Sequence, residues 1–213
     1  MPRTPDHTAR RAEIAKALVR VAGRDGLHAV TMRSVAAEAG VSLRLIQYYF
    51  NTKEELMVGA LRYLERSSHD RWAQRLAEYD DPPPTRAVIE TFLLEALPTD
   101  EASRAFHRVG MSYAVLAMTD TKISDEPFVS GINRLESILA EALKRAVDDG
   151  QLPAHVAPEL EATRLVTMVN GLGTSILVDQ RTPEQAAEVI QYHLDQLFAR
   201  PLLEVASLVP TRP

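Results

Sequence analysis

The stretch TMRSVAAEAGVSLRLIQYYFNTK, which begins at Thr31, restricts the fold of this chain more than any other segment. Thr31 and Ser42 are favourable N-cap residues, and Gly40 can end a helix in the left-handed conformation, so two short helices joined by a tight turn are predicted. Helices that cross after so short a turn need a small side chain at the crossing and an apolar plug from the second helix. Ala36 and Ile46 meet these needs, which predicts a helix-turn-helix.

Helices on either side complete a three-helix head. Residues 8–24 carry apolar side chains at helical spacing and are followed by Gly26, which predicts an amphipathic helix that ends there. A further helix begins at Thr52, whose pairing with Glu55 predicts a capping box. We expect that helix to run to about Glu78 and to stop at the three prolines that follow.

The remainder of the chain keeps a helical pattern and shows no alternating strand pattern. We therefore expect an all-α fold of about nine helices. A helix-turn-helix domain would occupy residues 1–53, and a second, all-helical domain residues 54–213. The body helices are predicted to begin at residue 85, at a Thr99 cap, at an Asp125 cap with Pro127 in the first turn, at Pro158, and at Thr182 with Gln185 as a capping box.

Charge is spread unevenly along the chain, whose formal net charge is −5. Residues 1–53 hold nine Lys or Arg and four Asp or Glu. The remainder holds 15 Lys or Arg and 25 Asp or Glu. A basic helix-turn-helix on an acidic body is typical of a DNA-binding head, because lysine and arginine neutralise phosphates.

Several common classes of protein are disfavoured by composition. The chain has no cysteine, which excludes disulfides and thiolate metal sites. Its first residues, MPRTPDHTARR, lack the apolar core of a signal peptide, and no stretch approaches the roughly 18 apolar residues of a membrane span. We therefore expect a soluble cytoplasmic protein with no membrane partner.

Three motifs give the chain a family resemblance: TMRSVAAEAGVS, the aromatic pair in QYYF, and the TKEEL that follows. Over residues 8–65 the chain resembles the TetR/AcrR-type bacterial transcriptional regulators, and its body resembles them in helix pattern. The resemblance implies a homodimeric repressor that binds a palindromic operator and is released by a small-molecule effector, without a cofactor. Leu43, Arg44 and Gln47 depart from the small and aromatic residues usual in that family, which leaves the operator sequence open.

The resemblance also implies which residues contact double-stranded DNA. Thr31, at a helix N-terminus, would hold a phosphate, and Arg33 would reach the duplex beside it. In the recognition helix, the guanidinium of Arg44 suits guanine, and Leu43 could touch a thymine methyl group. The full predicted set is Thr31, Arg33, Ser42, Leu43, Arg44, Leu45, Gln47, Tyr48, Tyr49 and Lys53.

Other members of this set have less specific roles. Gln47 could pair with adenine or reach a phosphate. Tyr48 and Lys53 would anchor the DNA backbone, and Tyr49 could be either an anchor or a core residue.

The body is expected to hold an effector pocket and a dimer interface. Bodies in this family enclose a pocket beside the long linker helix, although aromatic and methionine side chains at helical spacing are commonly core. The pocket candidates are Phe92, Phe106, His107, Met111, Tyr113 and Met118. The interface is expected on the last two helices, unless both are internal, with close-approach positions at Thr163, Asn170, Gly171 and Thr174 and an apolar ridge of Ile190, Leu194 and Leu197.

Two other classes of protein compete with a ligand-released regulator. A helical enzyme is disfavoured because the six histidines show no metal-ligand spacing, and because Gly171-Leu-Gly173 follows no strand and so is not a dinucleotide loop. An architectural DNA-binding protein without an effector would be expected to have a basic body, whereas this body is acidic.

Overall fold

The computed structural model describes residues 7–119 and 127–198 of the chain. Within these ranges it contains nine α-helices and a short 3-10 helix at Leu27–Ala29, which confirms the predicted all-α fold. The helices are α1 (His7–Asp25), α2 (Met32–Ala39), α3 (Leu43–Tyr49), α4 (Lys53–Leu76), α5 (Thr85–Glu95), α6 (Glu101–Thr119), α7 (Pro127–Asp148), α8 (Pro158–Leu177) and α9 (Pro183–Leu197).

The predicted helix-turn-helix is present, and its caps form as expected. The Thr31 hydroxyl accepts the Ser34 N–H at 2.9 Å, and the Ser34 hydroxyl oxygen accepts the Thr31 N–H at 2.9 Å. Gly40 ends α2 with φ of 64°, and the Ser42 hydroxyl accepts the Leu45 N–H at 3.2 Å to begin α3. These bonds satisfy backbone donors that helix starts leave free.

Other helix starts differ in part from their predictions. The Thr52 hydroxyl accepts the Glu55 N–H at 3.1 Å, but the Glu55 carboxylate accepts the N–H of Asn51, one residue before the expected partner. At α6 the prediction of Thr99 as cap is wrong. Asp100 is the capping residue, and its carboxylate accepts the Ser103 N–H at 2.7 Å.

The remaining helix boundaries fall close to expectation. The linker helix α4 ends at Leu76, slightly earlier than predicted. Thr182 and Gln185 form the predicted capping box at α9. Asp125, the predicted cap of α7, lies outside the described residues.

Two separate apolar cores hold the molecule together. The head core joins α1, α2, α3 and the first turns of α4, and its most buried members include Ile14, Leu18, Val35, Ile46, Phe50 and Leu61. The body core joins α5, α7, α8 and α9, and its most buried members include Ile89, Leu93, Leu143, Leu165, Ile190 and Leu194.

Helix α6 also belongs to the head core, which the sequence did not predict. Val109 is fully buried in that core, and Phe106 packs against it. On the same helix, the Arg108 guanidinium donates to the main-chain carbonyl oxygen of Gly23 in α1 at 3.0 Å. The head is therefore attached to the rest of the chain through α6 as well as through α4. The division at residue 53 stays a prediction.

A buried carboxylate links α4 to α5. The Glu95 side chain is 4% exposed and lies 2.7 Å from the Arg71 guanidinium and 3.0 Å from that of Arg75. Nearby, the Trp72 indole N–H donates to the Thr91 hydroxyl at 3.1 Å.

In the described ranges, every helix is too short or too polar to cross a bilayer.

Candidate nucleic-acid interface

Helix α3 presents a polar face outward and an apolar face inward. Ile46 and Tyr49 are buried in the head core, whereas Arg44, Gln47 and Tyr48 are exposed, with Tyr48 at 72%. Because positions three and four residues apart share a helix face, these three exposed side chains form one surface.

Three cationic side chains of the head have no counterion among the described residues. Within the described part of the chain, Arg33, Arg44 and Lys53 form no ion pair and no side-chain hydrogen bond. By contrast, Arg20 on α1 is paired with Glu38 at 2.6 Å. Since unpaired guanidinium and ammonium groups can neutralise phosphates, this surface is suited to a polyanion.

The other predicted DNA contacts fall into two groups. Thr31 and Ser42 are exposed, and Leu43 is half-buried at the start of α3. Leu45 packs against the head core and Tyr49 lies within it. These last two side chains therefore position α3 and offer little surface to DNA.

Arg11 was not predicted as a functional residue, yet it holds the end of α3. Its guanidinium donates to the Tyr49 carbonyl oxygen at 2.6 Å and lies 4.2 Å from the centre of the Phe50 ring. His7 lies beside it, with its ring 4.6 Å from that of Tyr49 and 6.4 Å from that of Tyr48. These contacts could not be predicted from the periodicity of the sequence, because they join residues about 40 positions apart.

The predicted effector residues are dispersed. Phe92 packs on the body core, 5.6 Å from the Trp72 ring, whereas Phe106 packs on the head core. Met111 and Met118 are exposed, and the Tyr113 side chain lies outside the described part. A cavity of about 320 Å³ between α6 and the α8–α9 turn is lined by Arg104, Ile176, Asp179, Gln180, Arg181, Thr182, Pro183 and Gln185, which includes none of the predicted residues.

His107 lies between the main chain at Ala96 and helix α8. Its Nε2 lies 2.5 Å from the Ala96 carbonyl oxygen, to which the neutral imidazole donates. A Cβ atom at Gly173 would overlap the His107 ring, so glycine allows α8 to approach this histidine closely. Burial of the imidazole lowers the pKa of His107 below its ordinary value.

The predicted interface on α8 and α9 needs a correction. Ile190, Leu194 and Leu197 lie in the body core and are almost fully covered by their own chain. Their assignment to an interface ridge is therefore wrong, because the apolar face of α9 packs inward. The α8 positions predicted with them are exposed or partly exposed: Thr163, Asn170, Gly171 and Thr174.

A trihelical head with an exposed basic recognition surface, attached to a helical body, defines a helix-turn-helix DNA-binding regulator. A family model described as "Bacterial regulatory proteins, tetR family" matches residues 9–60. A second, described as "BetI-type transcriptional repressor, C-terminal", matches residues 84–199. The chain belongs to the TetR family of bacterial transcriptional regulators.

Two relatives match this chain along most of their length. The HTH-type transcriptional regulator PksA of Bacillus subtilis (strain 168) is 28% identical over 204 residues, or 92% of this chain and 94% of PksA. The HTH-type transcriptional regulator BetI of Burkholderia ambifaria (strain MC40-6) is 26% identical over 176 residues, which is 81% of this chain and 84% of that protein. A solved structure of a protein described as a transcriptional regulator from Saccharomonospora viridis, in complex with choline, has a TM-score of 0.72 at 23% identity. The match covers 88% of this chain and 94% of that one.

Proposed function

We propose that this chain is a homodimeric transcriptional repressor that binds a palindromic operator and is released from it by a small-molecule effector. The observation that carries the proposal is the outward face of α3, where Arg44, Gln47 and Tyr48 are exposed. Arg33 and Lys53, in the helices before and after α3, add cations without an ion-pair partner in the described part of the chain. A folded head has no internal need for such a surface, whereas a recognition helix in the major groove requires it.

Roles within this surface follow from side-chain chemistry. Arg44 reads a guanine through its O6 and N7 atoms, and Gln47 pairs with adenine or contacts a phosphate. Leu43 touches a thymine methyl group. Backbone positioning falls to five residues, all at least partly exposed: Thr31, Arg33, Ser42, Tyr48 and Lys53.

A homodimer is proposed because one head buries too little surface for specific affinity. The surface of α8 and α9 supports such an assembly, since it exposes large apolar side chains. Leu160 is 75% exposed and Tyr192 is 70% exposed, and Val178 and Val189 also reach solvent. At Gly171 an added Cβ atom would meet open space, so another backbone can approach α8 there. This outer surface replaces the buried ridge predicted on α9.

The effector is proposed to be a small molecule bound by the body. Choline is the first probe, because the S. viridis regulator, whose fold this chain shares, was solved with choline. The predicted pocket residues are too dispersed to define the chemistry of the effector further.

Selection of bound fragments from random duplex DNA tests this function. We expect enrichment of a two-fold symmetric sequence with half-sites about one or two helical turns apart, and loss of binding when the effector is present. The selection is run without additive, with choline, and with fractionated small-molecule extracts, while light scattering gives the oligomeric state.

Each outcome has a distinct meaning. No enrichment over random competitor at modest ionic strength would reject the DNA-binding proposal. Enrichment of an asymmetric sequence by a monomeric protein would reject the dimer. A symmetric operator whose binding no small molecule alters would favour the architectural alternative.

A further inference from the structure

Helix α6 carries an apolar stripe that the described part of the chain leaves exposed. Met111, Val115 and Met118 follow one another at intervals of four and three residues, so they lie along one side of the helix. Their exposed fractions are 42%, 57% and 82%. An exposed row of large apolar side chains on one helix is unusual for a surface that faces only water.

The stripe lies directly beside the outer surface of α8. The Thr174 hydroxyl is 3.5 Å from the Met111 sulfur, which joins the two helices at the surface. Along α8, exposed Thr163, Asn170 and Gly171 continue the same uncharged surface. The α6 stripe is therefore an extension of the surface already proposed for dimerisation.

We infer that a second copy of this chain covers the α6 stripe of Met111, Val115 and Met118. The inference rests on the proposed homodimer and adds α6 to its interface. A second copy suits the surface because a two-fold interface places the same patch on both partners, and an uncharged patch is complementary to itself. The small side chains of exposed Thr163 and Gly171 on α8 also allow the second copy to approach closely enough to pack onto α6.

This contact gives α6 two attachments at opposite ends. Its N-terminal half belongs to its own head, through buried Val109, partly buried Phe106 and the bond from Arg108 to the Gly23 carbonyl oxygen. Its C-terminal half contacts the partner. The same helix therefore contacts both the DNA-binding head and the partner.

A charge placed in the middle of the stripe tests the contact. Val115→Glu is expected to raise the dimer dissociation constant about tenfold or more in sedimentation equilibrium, because interface burial of an unpaired carboxylate is unfavourable. Tyr79→Glu is the matched control. It places the same charge on another exposed apolar side chain, at the α4–α5 turn, and should leave the constant unchanged.

A thiol probe tests the same contact without a disruptive charge. The chain has no cysteine, so Met118→Cys introduces a single reactive thiol, with Tyr79→Cys as control. Alkylation at position 118 should slow as protein concentration rises through the dimer dissociation constant, whereas alkylation at position 79 should not. Slowing at position 118 would support the inference even if Val115→Glu fails to fold.

The outcomes separate this inference from the proposed function. A wild-type dimer whose thiol at position 118 reacts equally fast at every concentration would overturn the α6 contact and leave the homodimer standing. Dissociation of the dimer by Tyr192→Glu but not by Val115→Glu would likewise overturn the α6 contact alone. A monomeric wild-type protein would overturn both.

Discussion

Arg11 in α1 donates a hydrogen bond of 2.6 Å from its guanidinium to the main-chain carbonyl oxygen of Tyr49, the last residue of α3. The same guanidinium lies over the ring of Phe50, 4.2 Å from its centre. A seven-residue helix has few stabilising bonds of its own, so this cation at its C-terminus helps to fix the direction of the recognition helix.

Loss of this anchor should weaken the head. Arg11→Ala removes a charge-assisted hydrogen bond and a cation–π contact, and is expected to lower the free energy of unfolding by about 2 kcal/mol. Arg10→Ala is the control, because among the described residues Arg10 makes only an exposed pair with Glu13, worth at most about 0.5 kcal/mol. Urea denaturation measures both. Equal effects of the two substitutions would contradict an anchoring role for Arg11.

The glycine at position 59 makes room for the residue that follows the recognition helix. A Cβ atom at Gly59 would lie 2.5 Å from the buried ring of Phe50. Gly59→Ala should therefore destabilise the head by about 1–3 kcal/mol, despite the better helix propensity of alanine. Gly23→Ala, also within a helix, has its nearest neighbour at 3.7 Å and should raise stability by up to about 1 kcal/mol. Thermal melts that rank the two variants in the opposite order would refute this explanation.

The caps of the head could be predicted from sequence because they depend on local chemistry. Thr31, Gly40 and Ser42 each act within a few residues of their own position, and the structure shows all three in the predicted roles. The helix-turn-helix and the all-α fold follow from such local signals.

Contacts that depend on the packing of distant segments could not be predicted in the same way. Periodicity identifies the apolar face of α9, and Ile190 and Leu194 on that face pack in the body core. The periodic pattern alone cannot show whether such a face packs in the core of its own chain or against a partner. Likewise, no sequence pattern predicts that Val109 of α6 packs in the head core. The same holds for the hydrogen bond from Arg11 to Tyr49.

His107 should make stability depend on pH. Burial lowers its pKa below the ordinary 6.5, so below about that pH the unfolded chain binds the proton more readily than the folded chain. The contribution of His107 to stability is therefore present above pH 6.5 and is lost as pH falls through the lower pKa of the folded state. His107→Gln should reduce the fall in melting temperature between neutral pH and about pH 5. His155→Gln, at an exposed loop position, should leave that fall unchanged. Similar profiles for the two variants would argue against a partly buried, neutral imidazole at position 107.

Arg44 is expected to read a base. Arg44→Ala should cost about 1–3 kcal/mol of operator affinity and relax the sequence preference at one position in each half-site. Fluorescence anisotropy with the selected operator and its single-base variants measures both quantities. A uniform loss on every sequence would assign Arg44 to the phosphate backbone.

Lys53 begins α4 directly after the recognition helix and has no ion-pair partner in the described part of the chain. A lysine so placed should contact a phosphate, where it acts as a point charge without base preference. Lys53→Ala should therefore weaken binding to all sequences alike and reduce the slope of log affinity against log salt concentration by about one. Titrations at several salt concentrations give that slope for Lys53→Ala and, as a matched control, for Lys144→Ala on the exposed surface of α7. A slope that stays the same in Lys53→Ala would remove this residue from the phosphate contacts, whatever its effect on affinity.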